Sequence, residues 1–309
     1  MNKVAFICPL YDKENHFQYA RNLVKSKIDY SIKEDLFFIF SNNSQKDKFL
    51  YLISDLSYGE LGVKWMVIPE NLLRYKCQVT VKKFFALNEL HKEYDYLATI
   101  DSESLFCKKT DFSRVFNEIW SKRSMLKANA TLQGFFVMRN CFRTLSLSVY
   151  NDRALRKAFG YYRYNTWFNE IPVYKCSTIP SFFEWINHFD KEIWLNEVAC
   201  FDYYLYVAYL VIIEGMSIEK IPIISNYGAV ESSFERAGDS YKKVLFKFGS
   251  HWSSDVDVKT DKTVMFYQLD KESLKDKYHK ITLKSVFKYQ IKILLQMVKD
   301  AISDTKHKY

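Results

Sequence analysis

Asp101 and Glu103 stand two positions apart where the apolar run Tyr94-Asp95-Tyr96-Leu97-Ala98-Thr99-Ile100 ends. On an extended strand end, side chains at i and i+2 point the same way. The two carboxylates could then share one hard cation, or one could bind it directly and the other through water. Ser102 between them is small enough to let a bulky ligand approach. Neither G-x-G-x-x-G nor G-x-x-x-x-G-K-[ST] occurs in the chain, which argues against a dinucleotide fingerprint and a P-loop. A phosphate ligand would need another charge-neutralising device, and a metal on Asp101 and Glu103 supplies one. Lys82 and Lys83, shortly before the apolar run, add positive charge near a pyrophosphate or stand as a solvated pair.

Such a site needs elements that carry it to one place. Val4 to Tyr11 reads as a buried first strand, Glu14 to Lys27 as a helix, and Leu36 to Phe40 as a second strand ending in the turn cluster Ser41-Asn42-Asn43. Lys46 to Leu56 reads as a helix, Val63 to Ile68 as a strand stopped by Pro69, and Thr80 to Leu90 as a helix leading into the strand before Asp101. Alternation of this kind implies a parallel sheet with helices on both faces. Ligands bind such sheets outside the carboxyl ends of the strands. Pro9, Leu10, Tyr11, Ser41, Asn42 and Asp101 would all lie on that rim, and we expect the nucleotide contacts there.

Composition fits a sizeable folded core: 48% of the 309 residues are hydrophobic and 17% aromatic, with only 8 Gly and 5 Pro. Six cysteines form no C-x-x-C pair, so they read as reduced core thiols. The first ten residues do not read as a secretory signal, and no uncharged run reaches the roughly 18 residues of a membrane span. The expected location is cytoplasmic. The many aromatics within residues 151 to 190, among them Phe159, Tyr161, Trp167, Phe182, Phe183 and Trp185, suit either the apolar faces of sugars or packing, with packing favoured.

Asp101-Ser102-Glu103 after a hydrophobic strand resembles the D-x-D motif of GT-A-fold nucleotide-sugar glycosyltransferases, in an Asp-x-Glu form. The resemblance covers about residues 1 to 265 and extends to three further positions. Gly134, in Leu132 to Asn140, looks like the glycine of the strand beside the sugar pocket, unless packing or a bulge requires it. Asp202 or Glu197, at the entry to an apolar helix over Asp202 to Ile213, resembles the acid that faces the acceptor and removes its hydroxyl proton in inverting members. The alternative is an acidic first turn complementing the helix dipole. His251, in Gly249-Ser250-His251-Trp252, resembles the late histidine that joins the carboxylates on Mn²⁺ (or Mg²⁺). The implied fold is α/β, a GT-A-like Rossmann-type mixed sheet flanked by helices. The implied activity is transfer of a sugar from a nucleotide diphosphate sugar, UDP-linked by expectation, to a hydroxyl of a cell-surface polysaccharide or lipid-linked glycan. The rival readings are a sugar nucleotidyltransferase, against which the missing glycine-rich loop between Val4 and Lys13 speaks, and a non-catalytic peripheral membrane or assembly protein.

The formal charge of +9 is concentrated late: residues 280 to 309 hold seven lysines against Asp300 and Asp304, a net +5. Leu283, Phe287, Ile291, Leu294 and Val298 recur at helical spacing beside a lysine stripe. We expect residues 1 to 268 to form the catalytic domain and 269 to 309 a basic amphipathic tail. Residues 280 to 299 would meet an anionic membrane surface, the domain, or a second subunit as a homodimer. No basic-aromatic motif points to nucleic acid.

Overall fold

The computed structural model describes residues 2–106, 109–121, 124–128, 139–149, 152–159, 172–196, 202–221, 247–250, 264–268, 291 and 294–303. Its centre is a five-stranded mixed sheet. Val4–Pro9 (β1), Asp35–Phe40 (β2), the more exposed Val63–Val67 (β3) and Tyr96–Thr99 (β4) lie parallel, and Val173–Lys175 (β7) closes the edge antiparallel to β4. The order is β3-β2-β1-β4-β7. This is the α/β arrangement expected from the sequence, and it is consistent with a GT-A-like Rossmann-type fold.

Alternate residues of each strand feed two cores. On one face, Phe6, Cys8, Phe38 and Phe40 pack with Phe17, Leu23 and Phe49 of the helices Glu14–Asp29 (α1) and Asn43–Leu52 (α2), and with Phe112 and Phe116 of Phe112–Ser121 (α4). On the other, Ala5, Ile7, Ile39 and Leu97 meet the helices Gln78–Leu90 (α3), Arg153–Phe159 (α6), Ile179–Ile186 (α7) and Asp202–Ile212 (α9). Every residue of α9 from Asp202 to Val211 is buried, which explains its unbroken apolar sequence. Phe159 and Phe182 are core residues, while Phe183 and Trp185 pack partly buried against them, so these four members of the aromatic run pack inward.

A second, smaller sheet sits after β4. Ser104–Phe106 (β5) pairs antiparallel with Val264–Gln268 (β10), which pairs in parallel with Lys247–Ser250 (β9). Ser124–Ala128 (β6) and Ser217–Ile221 (β8) form a parallel pair. Between β3 and the end of the chain the short helix Lys191–Trp194 (α8) precedes α9, and residues 139–144 (α5) and 294–303 (α10) are helical.

Several expected boundaries move. The helix after β2 starts at Asn43 rather than Lys46, because Asn42 caps it by accepting from Gln45 N at 2.9 Å. Asp111 stands before α4 and its side chain accepts from Arg114 N at 3.0 Å. Arg139 and Asn140, expected at the end of a strand, are helical instead. Cys141, Phe142 and Leu145 fall on one buried face at helical spacing and decide the local conformation.

No helix among the described residues is long and apolar enough to cross a membrane. Cys8, Cys77 and Cys176 are thiols.

Candidate functional site

β4 delivers Asp101 to the carboxyl rim of the sheet. The ladder still holds at Ile100, whose N–H donates to Ile7 O at 2.9 Å, and then the chain turns: Ser104 N donates to Asp101 O at 3.0 Å. Asp101 therefore opens a tight turn with Ser102 and Glu103 at its centre, and the two carboxylates do not lie on the extended strand end expected from the sequence. A turn was needed because β5 leaves the first sheet immediately to join β10. Both carboxylates nevertheless act on one neighbourhood. Burial pushes the Cys8 thiol well above its usual range, and Asp101 and Glu103 add to the effect. The Tyr11 phenol is raised by burial first, with contributions from Cys77, Asp101 and Glu103.

Glu103 is buried and held from below. Ser102 Oγ donates to Glu103 Oε2 at 3.0 Å, and His16 Nδ1 lies 2.8 Å from the same hydroxyl. A serine hydroxyl has one proton to give, so His16 is the donor to Ser102 in this arrangement. The ring of His16 also neighbours that of Tyr11, with centroids 5.2 Å apart. His16 was missed from the sequence, where it reads simply as one position of α1; nothing local marks it as a partner of residue 102.

Lys82 and Lys83 are buried, so the solvated-pair alternative is wrong. As neighbours on α3 they point to different places. Lys82 Nζ donates to Leu10 O, and burial lowers its ammonium to about 8. Lys83 Nζ donates to Asp202 Oδ1 at 3.2 Å. Burial pulls the Lys83 pKa down, but Asp202 and Asp101 outweigh it and the net shift is upward. Asp202, the first residue of α9, is 2% exposed, and its second oxygen accepts from Tyr174 of β7 at 2.7 Å. Both oxygens are thus already engaged by side chains of the fold.

The remaining rim residues are tied together by Gln45. Its side chain accepts from Ser41 N at 2.6 Å and donates to Leu10 O at 3.0 Å, while its backbone N–H donates to Asn42 Oδ1. These bonds occupy the side-chain oxygen of Asn42 and the backbone N–H of Ser41 in shaping the rim. Pro9 and Leu10 are buried; Tyr11 is 44% exposed and presents a ring beside the carboxylates.

Gly134, Glu197 and His251 lie outside the described residues. Their flanks are informative. Asn196 Oδ1 accepts from Lys76 N at 3.0 Å, and Leu195 O accepts from Cys77 N at 3.0 Å, which fixes the chain just before Glu197 to the start of α3. Ser250 pairs in register with Gln268, and Gln268 with Ser104. β9 thus ends in the row that begins β5, and His251 is the next residue.

The donor set at Asp101 and Glu103 is hard oxygen, which suits Mg²⁺ or Mn²⁺. No three metal-ligating side chains cluster among the described residues, so a cation here would draw its other ligands from elsewhere, a substrate diphosphate among them. Two hydroxyls flanking the turn, Thr99 Oγ1 and Ser104 Oγ, are buried without a hydrogen-bond partner among the described residues. Unspent capacity of this kind is normally taken up by water or a polar ligand. In these respects the residues fit an oxygen-ligated cation. A groove at the amino ends of the strands, lined by Asn2, His91, Tyr94, Asp95 and Lys175, lies at the other end of β4 from the carboxylates.

No protein-family model matches the chain, and no curated protein matches it. Among solved structures it is similar to S. aureus TarS, with a TM-score of 0.38 and 13% identity over 75% of this chain and 38% of the TarS chain. A structure of TarS 1–349 matches with a TM-score of 0.38 and 14% identity, over 75% of this chain and 62% of that one. The chain spans less than two thirds of either. No family is assigned on that likeness, and the functional reading rests on the site.

Proposed function

We propose that the protein is a glycosyltransferase that moves a sugar from a nucleotide diphosphate sugar, UDP-linked, to a hydroxyl of a cell-surface polysaccharide or lipid-linked glycan. One observation carries the reading: Asp101 opens, and Glu103 lies within, a turn at the carboxyl rim of the parallel strands, beside the buried cation Lys83 and the exposed ring of Tyr11. In open α/β sheets that rim is where ligands bind.

In this reading Asp101 and Glu103 would hold Mn²⁺ or Mg²⁺, with His251 as a further ligand. The cation would supply neutralisation of charge on the departing diphosphate. Lys83 adds a fixed positive charge to the same region, held in place by Asp202. Ser102 and His16 orient the Glu103 carboxylate. Tyr11, with the backbone of Pro9 and Leu10 and the Ser41-Asn42 turn, lines the donor side, and Gly134 allows close approach of the sugar. The bonds that occupy Asp202 favour a positioning role for it. Glu197 then becomes the better candidate to take the acceptor proton if the anomeric centre inverts, since a general base must reach the hydroxyl.

The test is to incubate the protein with a panel of nucleotide sugars, with Mn²⁺ or with EDTA, and to measure nucleoside diphosphate release. Mn²⁺-dependent release from one donor, lost in Asp101→Asn, supports the proposal and names the sugar. Release of pyrophosphate instead would identify a nucleotidyltransferase. No calorimetric binding of UDP with Mn²⁺, together with no release, would leave the non-catalytic reading standing.

A further inference from the structure

α10 has one side anchored and one side exposed. Asp300, 4% exposed, accepts from Arg139 Nε and Nη2 at 2.5 Å, from Gln296 Nε2 at 3.0 Å and from Arg143 Nη1 at 3.1 Å. Met297 packs against the core cluster that contains α9. Asp300 is a buried carboxylate met by two guanidinium groups, and these hold its pKa below the usual carboxylate range despite the opposing effect of burial. The anchor fixes the rotation of the helix. Ile291, Leu294, Leu295, Val298 and Ile302 are 39%, 59%, 56%, 51% and 52% exposed. At 100° per residue the four within α10, Leu294, Leu295, Val298 and Ile302, form one stripe whose centre lies opposite Asp300. Single exposed apolar residues are ordinary, but four in a stripe mark a contact surface.

Charge indicates what covers it. Lys299 is exposed at the edge of the stripe. The chain from residue 280 onward carries a net +5. A second copy would bring the same lysines against these in a two-fold pair, between chains that each carry +9. A helix of this length, about 15 Å, also offers less than the roughly 800 Å² per partner of a stable protein interface.

We propose that this stripe lies in the interfacial layer of an anionic lipid bilayer, with the four apolar side chains at the headgroup–acyl boundary and the lysines against anionic headgroups. The buried Asp300 cluster makes the docking rigid: a membrane seated on α10 is held at a fixed angle to the body of the protein. The inference is independent of the proposed transferase activity, because vesicle binding needs neither donor nor cation.

The experiment is sedimentation of the full chain with vesicles of phosphatidylcholine alone and of an equal mixture with phosphatidylglycerol. The variant is Leu294→Ser/Leu295→Ser/Val298→Ser, whose positions are exposed, so its melting temperature should match the wild type. The expected result is binding to the anionic vesicles only, weakened by salt, and reduced about tenfold or more in the triple variant. Wild-type protein that stays in the supernatant with anionic vesicles overturns the proposal. So does binding that the triple variant retains in full. A concentration-dependent dimer that the variant abolishes, without vesicle binding, would assign the stripe to a second copy.

Discussion

Lys83 and Asp202 form a buried ion pair, Nζ to Oδ1 at 3.2 Å, that joins α3 to the first residue of α9. The two charges are desolvated together, and Tyr174 completes the carboxylate. Removing one partner of such a pair leaves the other uncompensated. Asp202→Ala should therefore cost about 3–5 kcal/mol in urea unfolding. Lys83→Met with Asp202→Leu should recover part of that loss, because the unpaired charge goes with it. A single-variant cost under about 1 kcal/mol would mean that the pair is not buried in solution.

The link from His16 through Ser102 to Glu103 makes a second expectation. Partners one bond behind a metal ligand typically change metal affinity by about 10–100-fold when removed. Ser102→Ala and His16→Ala should each weaken Mn²⁺ binding in the presence of UDP by that factor, measured calorimetrically. Asp101→Ala should abolish it, and EDTA should mimic Asp101→Ala in the wild type. If Ser102→Ala binds Mn²⁺ as tightly as wild type, Glu103 does not depend on the hydroxyl.

Lys82 gives a pH-dependent expectation. Its pKa in the fold is about 8, against an ordinary value of 10.5. Below about 8 the lysine is charged in both folded and unfolded chains, and the full cost of burying that charge is present. Between those two values the unfolded chain binds more protons than the folded one, so stability rises with pH. Urea midpoints for wild type and Lys82→Met, compared from near neutrality to about pH 10, should shift in favour of wild type across that window. Lys27, also lowered to about 8 by burial, is unchanged in both proteins and cancels from the comparison.

Gly62 precedes β3 with φ +66°, and a Cβ there would sit 2.3 Å from Asp35 Oδ1. Its carbonyl accepts from Leu36 N at 2.9 Å, so the conformation is fixed by the β2–β3 pairing. Asp35 has little freedom to retreat, since Lys64 and Tyr94 both donate to its Oδ2. Gly62→Ala should destabilise by about 1–2 kcal/mol from the left-handed conformation alone, with the clash added. A melting temperature equal to wild type would count against this conformation.

The parallel half of the sheet was readable because each strand is a short apolar run bounded by turn residues, as in Val4 to Leu10 and Leu36 to Phe40. The start of α2 was readable too, and was misplaced by taking Ser41-Asn42-Asn43 as a turn. Asn42 followed three residues later by Gln45 is a capping pattern, and the structure uses it as one. The site was readable at Asp101 and Glu103, where the carboxylates interrupt an apolar run, but its shape was not. Periodicity gave an extended end, whereas the pairing of β5 with a strand some 160 residues later bends the chain into a turn. The burial of Lys82 and Lys83 was equally out of local reach. It depends on a carbonyl 72 positions before one of them and a carboxylate 119 positions after the other.

The pairing of β5 with β10 also has a consequence in time. The carboxylate turn closes onto a strand that the ribosome has not yet made when the turn emerges. At a synthesis rate of about 5–20 residues per second, β10 follows on the order of ten seconds later. During that interval β1 to β4 can already pair, because all four precede the turn in the chain, while β5 still lacks its partner strand. The nascent chain therefore carries its acidic turn before it has the sheet that seats it, so β5 reaches its final pairing only after the later strands are made.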